Sequence, residues 1–398
     1  MNAFIAGRVD DFISDLETLV NIDSSSDNIG GIAAVAQFLS RRLEAIGFSI
    51  RLEKFGERGV PCLQASNRPT EKPFDVMFLG HMDTVFPTGE AEKRPFAADG
   101  ARATGPGVCD MKGGLLVALH VLEALYHEGA LDQLSICVCF NGDEEVGSGS
   151  SRRWIEDHAR NSQRVFVFEP CRPGNRFVLQ RKGGGGYTIT ARGTSAHAGV
   201  EPEKGANAAV EIAHQTVAIQ QFNDLAGEGT SAHVTVIQAG DKTNIIPDTA
   251  RALVDVRVAV KRQVVPVESF FQSLPDHTHI AGVTLSVSGS VDRPPMEPDE
   301  RTMQLWTLIQ EQAVETGLTI ESISTGGCSD GNYTSSQGAP TIDGMGLVGA
   351  NAHRRDEYVE LGSIVPQIRL IFSVCKAIAQ EKKSAEHSAG KIQKPDEK

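Results

Sequence analysis

The chain has 398 residues, of which 40% are hydrophobic and 22% charged, with a formal net charge of −13. That length predicts two domains, or one large domain carrying an insertion, with enough apolar sequence for a sizeable core. An acidic balance without a long Lys/Arg run argues against a nucleic-acid or anionic-membrane partner.

The seven cysteines are scattered and no CxxC pair occurs, which predicts reduced thiols and an intracellular, cytoplasmic protein. Cys137 and Cys139, inside an apolar strand pattern, read as small core residues. The N-terminus lacks the basic and apolar segments of a signal peptide, and no run is expected to reach the length of a membrane helix.

Apolar residues from Phe4 to Val20 recur at three- and four-residue spacing, which predicts an amphipathic helix. A second helix is expected from Asn28 to Ile46, stopped by Gly47. Strands follow at Ser49–Phe55, Pro61–Ser66 and Phe74–Leu79, then a helix over Gly113–Tyr126, a strand over Leu134–Phe140, a helix over Ser148–Arg160 and a strand over Arg164–Phe168. This alternation predicts an α/β fold, a mixed sheet flanked by helices, with ligands gathered at the carboxyl ends of the strands.

The pattern then changes. Arg176–Arg192 reads as two strands interrupted by Gly183–Gly186, followed by a helix over Gly205–Gln221, strands over Ala232–Gln238 and Ala250–Val258, a helix over Val264–Leu274 and a strand over Val283–Ser288. This is an inserted α+β domain, placed at 178–293, and it leaves through the proline-rich Arg293–Pro298. The first pattern resumes over 294–398. It has a helix from Thr302 to Thr316, short runs around Ser322 and Thr341–Leu347, a last helix from Leu361 to Ala379, and a frayed polar tail from Lys382. Gly183–Gly186 is not a phosphate loop, because no Lys-Ser/Thr follows; it reads as a hinge or strand irregularity.

Three apolar runs each stop at acidic or histidine residues: His81-Met-Asp83, Asp143-Glu-Glu145 and Glu169. Asp110 lies between them in the glycine-rich Thr104–Gly114. A carboxylate closing a fully apolar strand is costly unless solvated or paired. The set reads as a site for two divalent metal ions with Asp110 shared. Asp83, two residues from His81, would hold its second ring nitrogen. Taken alone, the pair reads as a His and an Asp at a surface turn. Glu144 and Glu145, neighbours in extended chain, would face opposite ways, one to ligate and the other to act as general base. Histidine and carboxylate donors suit zinc, with cobalt or manganese as substitutes. Cys109 reads as packing before ligand.

These motifs resemble the dinuclear zinc peptidase family that includes glutamate carboxypeptidases, aminoacylases, acetylornithine deacetylase and succinyl-diaminopimelate desuccinylase. The resemblance is strongest to the glutamate carboxypeptidase branch and covers nearly the whole chain. It rests on Gly80-His-Met-Asp-Thr84, Gly105-Pro-Gly-Val-Cys-Asp-Met-Lys-Gly-Gly114, Gly142-Asp-Glu-Glu-Val-Gly147, Glu169-Pro170, Ser195-Ala-His-Ala-Gly199, Asn244-Ile-Ile-Pro-Asp248, Asp255-Val-Arg257 and Gly326-Gly-Cys-Ser-Asp330, in that order.

The resemblance implies a zinc-exopeptidase-like domain with an inserted lid that also dimerises. It assigns two Zn2+ per subunit: His81 and Glu169 on one, Glu145 and His353 on the other, Asp110 bridging, Glu144 as base. By itself His353 reads as a surface histidine, and Arg354 and Arg355 stand where the family often has a small residue. The resemblance also implies a cis peptide after Asp110. His197 would stabilise the oxyanion in the partner subunit's site, and Asn244, Arg257 and Arg293 would hold the substrate carboxylates, although surface charge is the alternative reading of the two arginines. The expected activity is release of a C-terminal amino acid, glutamate foremost, from peptidyl or N-acyl substrates. A deacylase of N-acyl amino acids is the rival, and a non-catalytic metal-binding scaffold a third reading.

Overall fold

The computed structural model describes residues 2–69 and 73–392. In chain order the main elements are α1 (Val9–Val20), α2 (Ile29–Ala45), β1 (Ser49–Phe55), β2 (Val60–Ser66), β3 (Val76–His81), α3 (Gly113–His127), β4 (Ile136–Asn141), α4 (Arg152–Arg160), β5 (Val165–Val167) and β6 (Arg176–Arg181). There follow β7 (Gly183–Arg192), α5 (Ala208–Phe222), β8 (Ser231–Ala239), β9 (Thr249–Val258), α6 (Val264–Ser273) and β10 (Thr284–Arg293). The chain ends with α7 (Glu300–Thr316), β11 (Glu321–Thr325), α8 (Gly331–Ser336), β12 (Thr341–Asp343) and α9 (Ile364–Ile392).

Two compact units result: Met1–Leu179 with Pro298–Ser324 and Ser329–Lys398, and Gln180–Glu297 with Thr325–Cys328. The second unit thus takes in a short late segment that lies outside the 178–293 expected from the sequence.

The first unit is built on an eight-stranded sheet in the order β1-β2-β4-β3-β5-β12-β6-β11. Its centre is parallel: β3 pairs with β4 and β5, and β5 with β12. β1–β2 and β2–β4 are antiparallel. Every residue of β3, β4 and β5 is buried, as expected of parallel strands covered on both faces. The helices start and stop on local signals. Asn28 caps α2 by accepting from Gly31 N–H at 3.0 Å, and Asp299 caps α7 by accepting from Thr302 N–H at 2.7 Å.

One glycine sets the close packing beneath the site. A Cβ on Gly114, in the first turn of α3, would meet Phe168 O at 1.8 Å. Only glycine lets that helix press against the end of β5.

The second unit is a four-stranded antiparallel sheet, β8-β9-β7-β10, carrying α5 and α6. Its own core includes Tyr187, Ile189, Ile212, Val256 and Phe271. Gly183–Gly186 is not a strand irregularity: the four residues lie in β7 and pair in register with Asp255–Val258 of β9. The register shift sits opposite, in β10 between Ser290 and Arg293. The glycines are needed for close approach, since a Cβ on Gly185 would meet Ser290 O at 2.2 Å.

Other departures concern helix ends. The N-terminal helix is broken at Gly7-Arg8 into Asn2–Ala6 and α1. α4 begins at Arg152, because Ser148, at φ 55°, and Gly147, at φ 93°, turn the chain before it. The last helix does not fray at Lys382 but runs to Ile392, and 393–398 lie outside the described residues. The stretch Leu361–Ser384, which includes the turn before this helix, is long and apolar enough to cross a membrane, contrary to expectation, yet most of its apolar part is buried in this fold. A buried core helix passes the same test.

Candidate metal centre

The carboxyl ends of β3, β4 and β5 point the same way, and the turn before α3 closes over them. His81 is the last residue of β3 and registers with Asn141, the last of β4. It is fully buried at 1% exposure. Its Nδ1 lies 3.0 Å from the main-chain carbonyl of Asp83 and 3.4 Å from Asp83 Oδ1. Nδ1–H therefore donates to Asp83, chiefly to the carbonyl where the carboxylate was expected, and Nε2 faces the centre.

Asp110 is buried in an irregular turn entered from Gly107 at φ 74°, and its peptide to Met111 is cis. Its two oxygens serve different partners: Oδ1 is 3.1 Å from His81 Nε2, and Oδ2 is 3.2 Å from His353 Nε2. Glu169 Oε1 lies 3.6 Å from His81 Nε2, and Glu145 Oε2 lies 3.1 Å from His353 Nε2. Two triads result, His81–Asp110–Glu169 and Asp110–Glu145–His353, each with its donor atoms within 4.8 Å of one another and with Asp110 common to both.

The electrostatics follow from three buried carboxylates facing two imidazoles. Burial and the Asp110 charge push Glu145 up to about 7, and the same causes push Glu169 well above the usual carboxylate range. Burial works against the charge of Asp110 too, but hydrogen bonds from His353 and His81 hold it well below that range. Asp110 and Glu145 drive His353 up to about 11. Glu145 Oε1 is buried with no hydrogen-bond partner among the described residues. A cluster this rich in converging acidic oxygens and imidazole nitrogens, with an orphaned carboxylate oxygen among them, fits a pair of divalent cations. Cys109, beside Asp110, is buried and its thiol is pushed well above its usual range by burial, so it packs as a neutral thiol.

Glu144 and Glu145 are not in extended chain. They form a turn of 3-10 helix, Glu144–Val146. The reason is Asp83: its Oδ1 accepts from Glu144 N–H and its Oδ2 from Glu145 N–H, both at 3.2 Å, while Ser26 Oγ donates to Oδ2 at 2.7 Å. One residue thus orients His81 and fixes the backbone of both glutamates.

Sequence reasoning gave no role to the polar web beside this turn. Asp143 accepts from Ser150 N–H at 2.8 Å and from Ser151 Oγ, and Asn141 Nδ2 donates to Asp330 Oδ2 at 2.9 Å. Ser148 Oγ also donates to Asp330. The available signal was Gly326–Asp330, a motif recognised as such but left without a task. Beneath Asp110, Glu357 Oε1 accepts from Val108 N–H at 3.1 Å and is pushed up to about 8 by burial and the Asp110 charge. His353 itself sits at φ 66° in a loop held by Arg354, whose Nε and Nη2 donate to Asp356 at 2.9 and 3.0 Å.

The remaining candidates belong to the second unit. His197, exposed, pairs with Ile245 in a two-stranded ribbon, and Asn244 O accepts from Ala198 N–H at 2.9 Å. Gly199 N–H donates to His197 Nδ1 at 3.1 Å, which leaves the ring proton of a neutral imidazole on Nε2. Arg257 and Arg293 register with the same residue, Gly184, from the strands on either side of it. Arg257 bonds Asp255 through Nε at 3.0 Å and Nη2 at 2.8 Å. A Cβ on Gly184 would come within 3.1 Å of Arg257 Nη1.

Fold and site together define a metallohydrolase that acts on amide bonds. The chain belongs to peptidase family M20/M25/M40, whose model matches residues 77–377. It is 32% identical over 355 residues to carboxypeptidase G2 of Pseudomonas sp. (strain RS-16), covering 88% of this chain and 85% of that one. It is 27% identical over 373 residues to the succinyl-diaminopimelate desuccinylase of Gluconobacter oxydans, covering 88% and 93%. Among solved structures, the aminopeptidase PepT of Bacillus cereus superposes with a TM-score of 0.75 at 19% identity, covering 93% of this chain and 99% of that one.

Proposed function

We propose that this enzyme is a zinc-dependent carboxypeptidase that releases a C-terminal acidic residue, glutamate foremost, from peptidyl or N-acyl substrates. The observation that carries the specificity is the pair of arginines, Arg257 and Arg293, flanking Gly184 in register. Two arginines in register on either side of a residue without a side chain suit a substrate bearing two carboxylates. The likeness to carboxypeptidase G2 supports the same reading.

His81 and Glu169 would hold one zinc ion, Glu145 and His353 the other, with Asp110 between them; cobalt or manganese would substitute. When bound, the ions supply Lewis acidity toward the scissile carbonyl and a water acidic enough to attack at neutral pH. Glu144 takes the proton from the attacking water and returns it to the leaving nitrogen. Asp83 keeps His81 in the Nδ1–H tautomer and holds the Glu144 turn. His197 donates its Nε2–H to the oxyanion in the partner subunit's site, and Asn244, Arg257 and Arg293 hold the substrate's acidic groups.

The partner is a second copy of this chain, joined through the inserted unit. Supporting this, the edge strand β8 exposes Val236 and Ile237, and α5 exposes Val210 and Val217. The seven cysteines are all free, which supports a cytoplasmic location.

The test is amino-acid release from N-acyl and dipeptide substrates, with zinc and with a chelator. Chelator-sensitive release of glutamate above other residues is expected. Faster turnover of acetyl or succinyl compounds would install the deacylase reading, which the desuccinylase likeness favours. Glu144→Gln should retain bound metal and lose about 10²–10⁴-fold in kcat; unchanged turnover would remove Glu144 from the mechanism.

A further inference from the structure

A second group of metal-competent donors lies in the first unit, apart from the carboxylate centre. Strand alternation puts Cys137 and Cys139 of β4 on one face, and their Sγ atoms are 3.5 Å apart. His158, in the last turn of α4, brings an imidazole nitrogen to within 4.8 Å of both sulfurs. Both thiols are fully buried, and the imidazole is half-buried at the helix surface.

The surroundings are sulfur-rich and apolar. Met77 of β3 registers with Cys137. Gln64 of β2 registers with Cys139, so Cys62, two residues earlier, opens onto the same face. Cys62, Met77, Cys137 and Cys139 share one buried cluster with Leu79 and Ile155. His158 Nδ1–H donates to Trp154 O at 2.8 Å, which leaves the lone pair of the neutral imidazole on Nε2.

We infer that Cys137, Cys139 and His158 form a structural site for a thiophilic divalent cation of the zinc–cadmium class, separate from the dinuclear centre.

The charge balance selects the divalent ion. Each thiol exchanges its proton for a metal–sulfur bond, so one M2+ enters, two H+ leave to solvent, and the neutral imidazole adds the third donor. Two thiolates and one dication sum to zero, which an apolar cluster tolerates where a bare thiolate would not. Burial indeed pushes the Cys139 thiol well above its usual range, so proton displacement by the metal, not prior ionisation, opens the site. Two Zn–S bonds of about 2.3 Å at a tetrahedral angle place sulfurs about 3.8 Å apart, a small rotamer adjustment from 3.5 Å. Thiolates prefer soft ions and carboxylates harder ones, so the two centres sort metals by donor type. Bound there, the ion would fasten α4 to β4.

The experiment is a Cd2+ titration of the intact, zinc-loaded enzyme, followed in the ultraviolet. Carboxylate and imidazole donors give no sulfur-to-cadmium charge-transfer band, so any such band reports thiolate ligation. We expect one equivalent of Cd2+ to saturate the band, with release of two protons from an empty site or of one Zn2+ from a zinc-filled one, and Tm to rise. Cys139→Ser should abolish the band. His158→Gln, at a half-buried position that folding tolerates, should keep hydrolytic activity and weaken Cd2+ binding at least tenfold. A folded wild-type enzyme without the band would overturn the assignment. So would an undiminished band in Cys139→Ser, or, where that variant fails to fold, unchanged Cd2+ affinity in His158→Gln.

Discussion

Asp83 shows how much one residue can organise. Its backbone carbonyl fixes the His81 tautomer, and its two carboxylate oxygens hold the N–H groups of Glu144 and Glu145. Asp83→Asn keeps the shape but replaces one acceptor with a donor pointed at an N–H. We expect metal affinity to fall about 10–100-fold, with kcat reduced even at saturating zinc; competition against a chelator would measure it, and unchanged affinity would confine Asp83 to a structural role. The sequence suggested the pairing with His81 from two-residue spacing. The link to Glu144 and Glu145 was not legible, because it joins loops 61 and 62 residues apart. His353 was invisible to spacing for the same reason. It is carried on a positive-φ loop far along the chain from its partners, and only the ordered set of motifs pointed to it.

At the scale of elements, apolar periodicity located the strands and helices well, since β3, β4 and β5 are buried throughout and α3 almost so. What it missed were places where a tertiary partner overrides local pattern. The Glu144–Val146 turn is set by Asp83, and the glycine run of β7 by the nearness of the β10 backbone. α5 carries an equally hidden link.

Glu211 is fully buried, and its carboxylate accepts from Gln215 Nε2 at 2.7 Å and from His279 and Ile280 N–H at 2.8 Å each. Burial alone would raise it, yet these bonds hold it below the ordinary glutamate value of 4.5. A carboxylate whose folded value is depressed stabilises fully above its unfolded value, and that contribution is lost as pH falls through the folded one. Glu211→Gln should therefore flatten the acid side of the Tm-versus-pH curve and lower Tm at neutral pH, by about 1–3 kcal/mol of stability. An unaltered acid limb in calorimetry would show that this carboxylate does not couple folding to protonation.

For the whole molecule, the fold class was readable from the switch in pattern near residue 178 and its return after the proline-rich exit. The late segment Thr325–Cys328, which belongs with the inserted unit, carries no compositional mark and was missed. Assembly is the property most exposed to test. Ile237, 53% exposed on the edge strand β8, is a position where a charge should oppose strand-to-strand pairing. Ile237→Lys is expected to convert the proposed dimer to monomer in light scattering and to depress turnover with metal content intact. A fully active monomer would sink the cross-subunit role of His197.

The sheet order also bears on how the enzyme is made. β12, residues Thr341–Asp343, occupies the slot between β5 and β6, strands translated long before it. The nascent sheet therefore waits with a gap at its middle while the whole inserted unit leaves the ribosome. The second triad waits longer, for His353. A ribosome stalled anywhere ahead of that histidine would thus release a chain that lacks one member of the second candidate triad. On the proposed mechanism, hydrolytic competence would arrive only once this late loop has emerged.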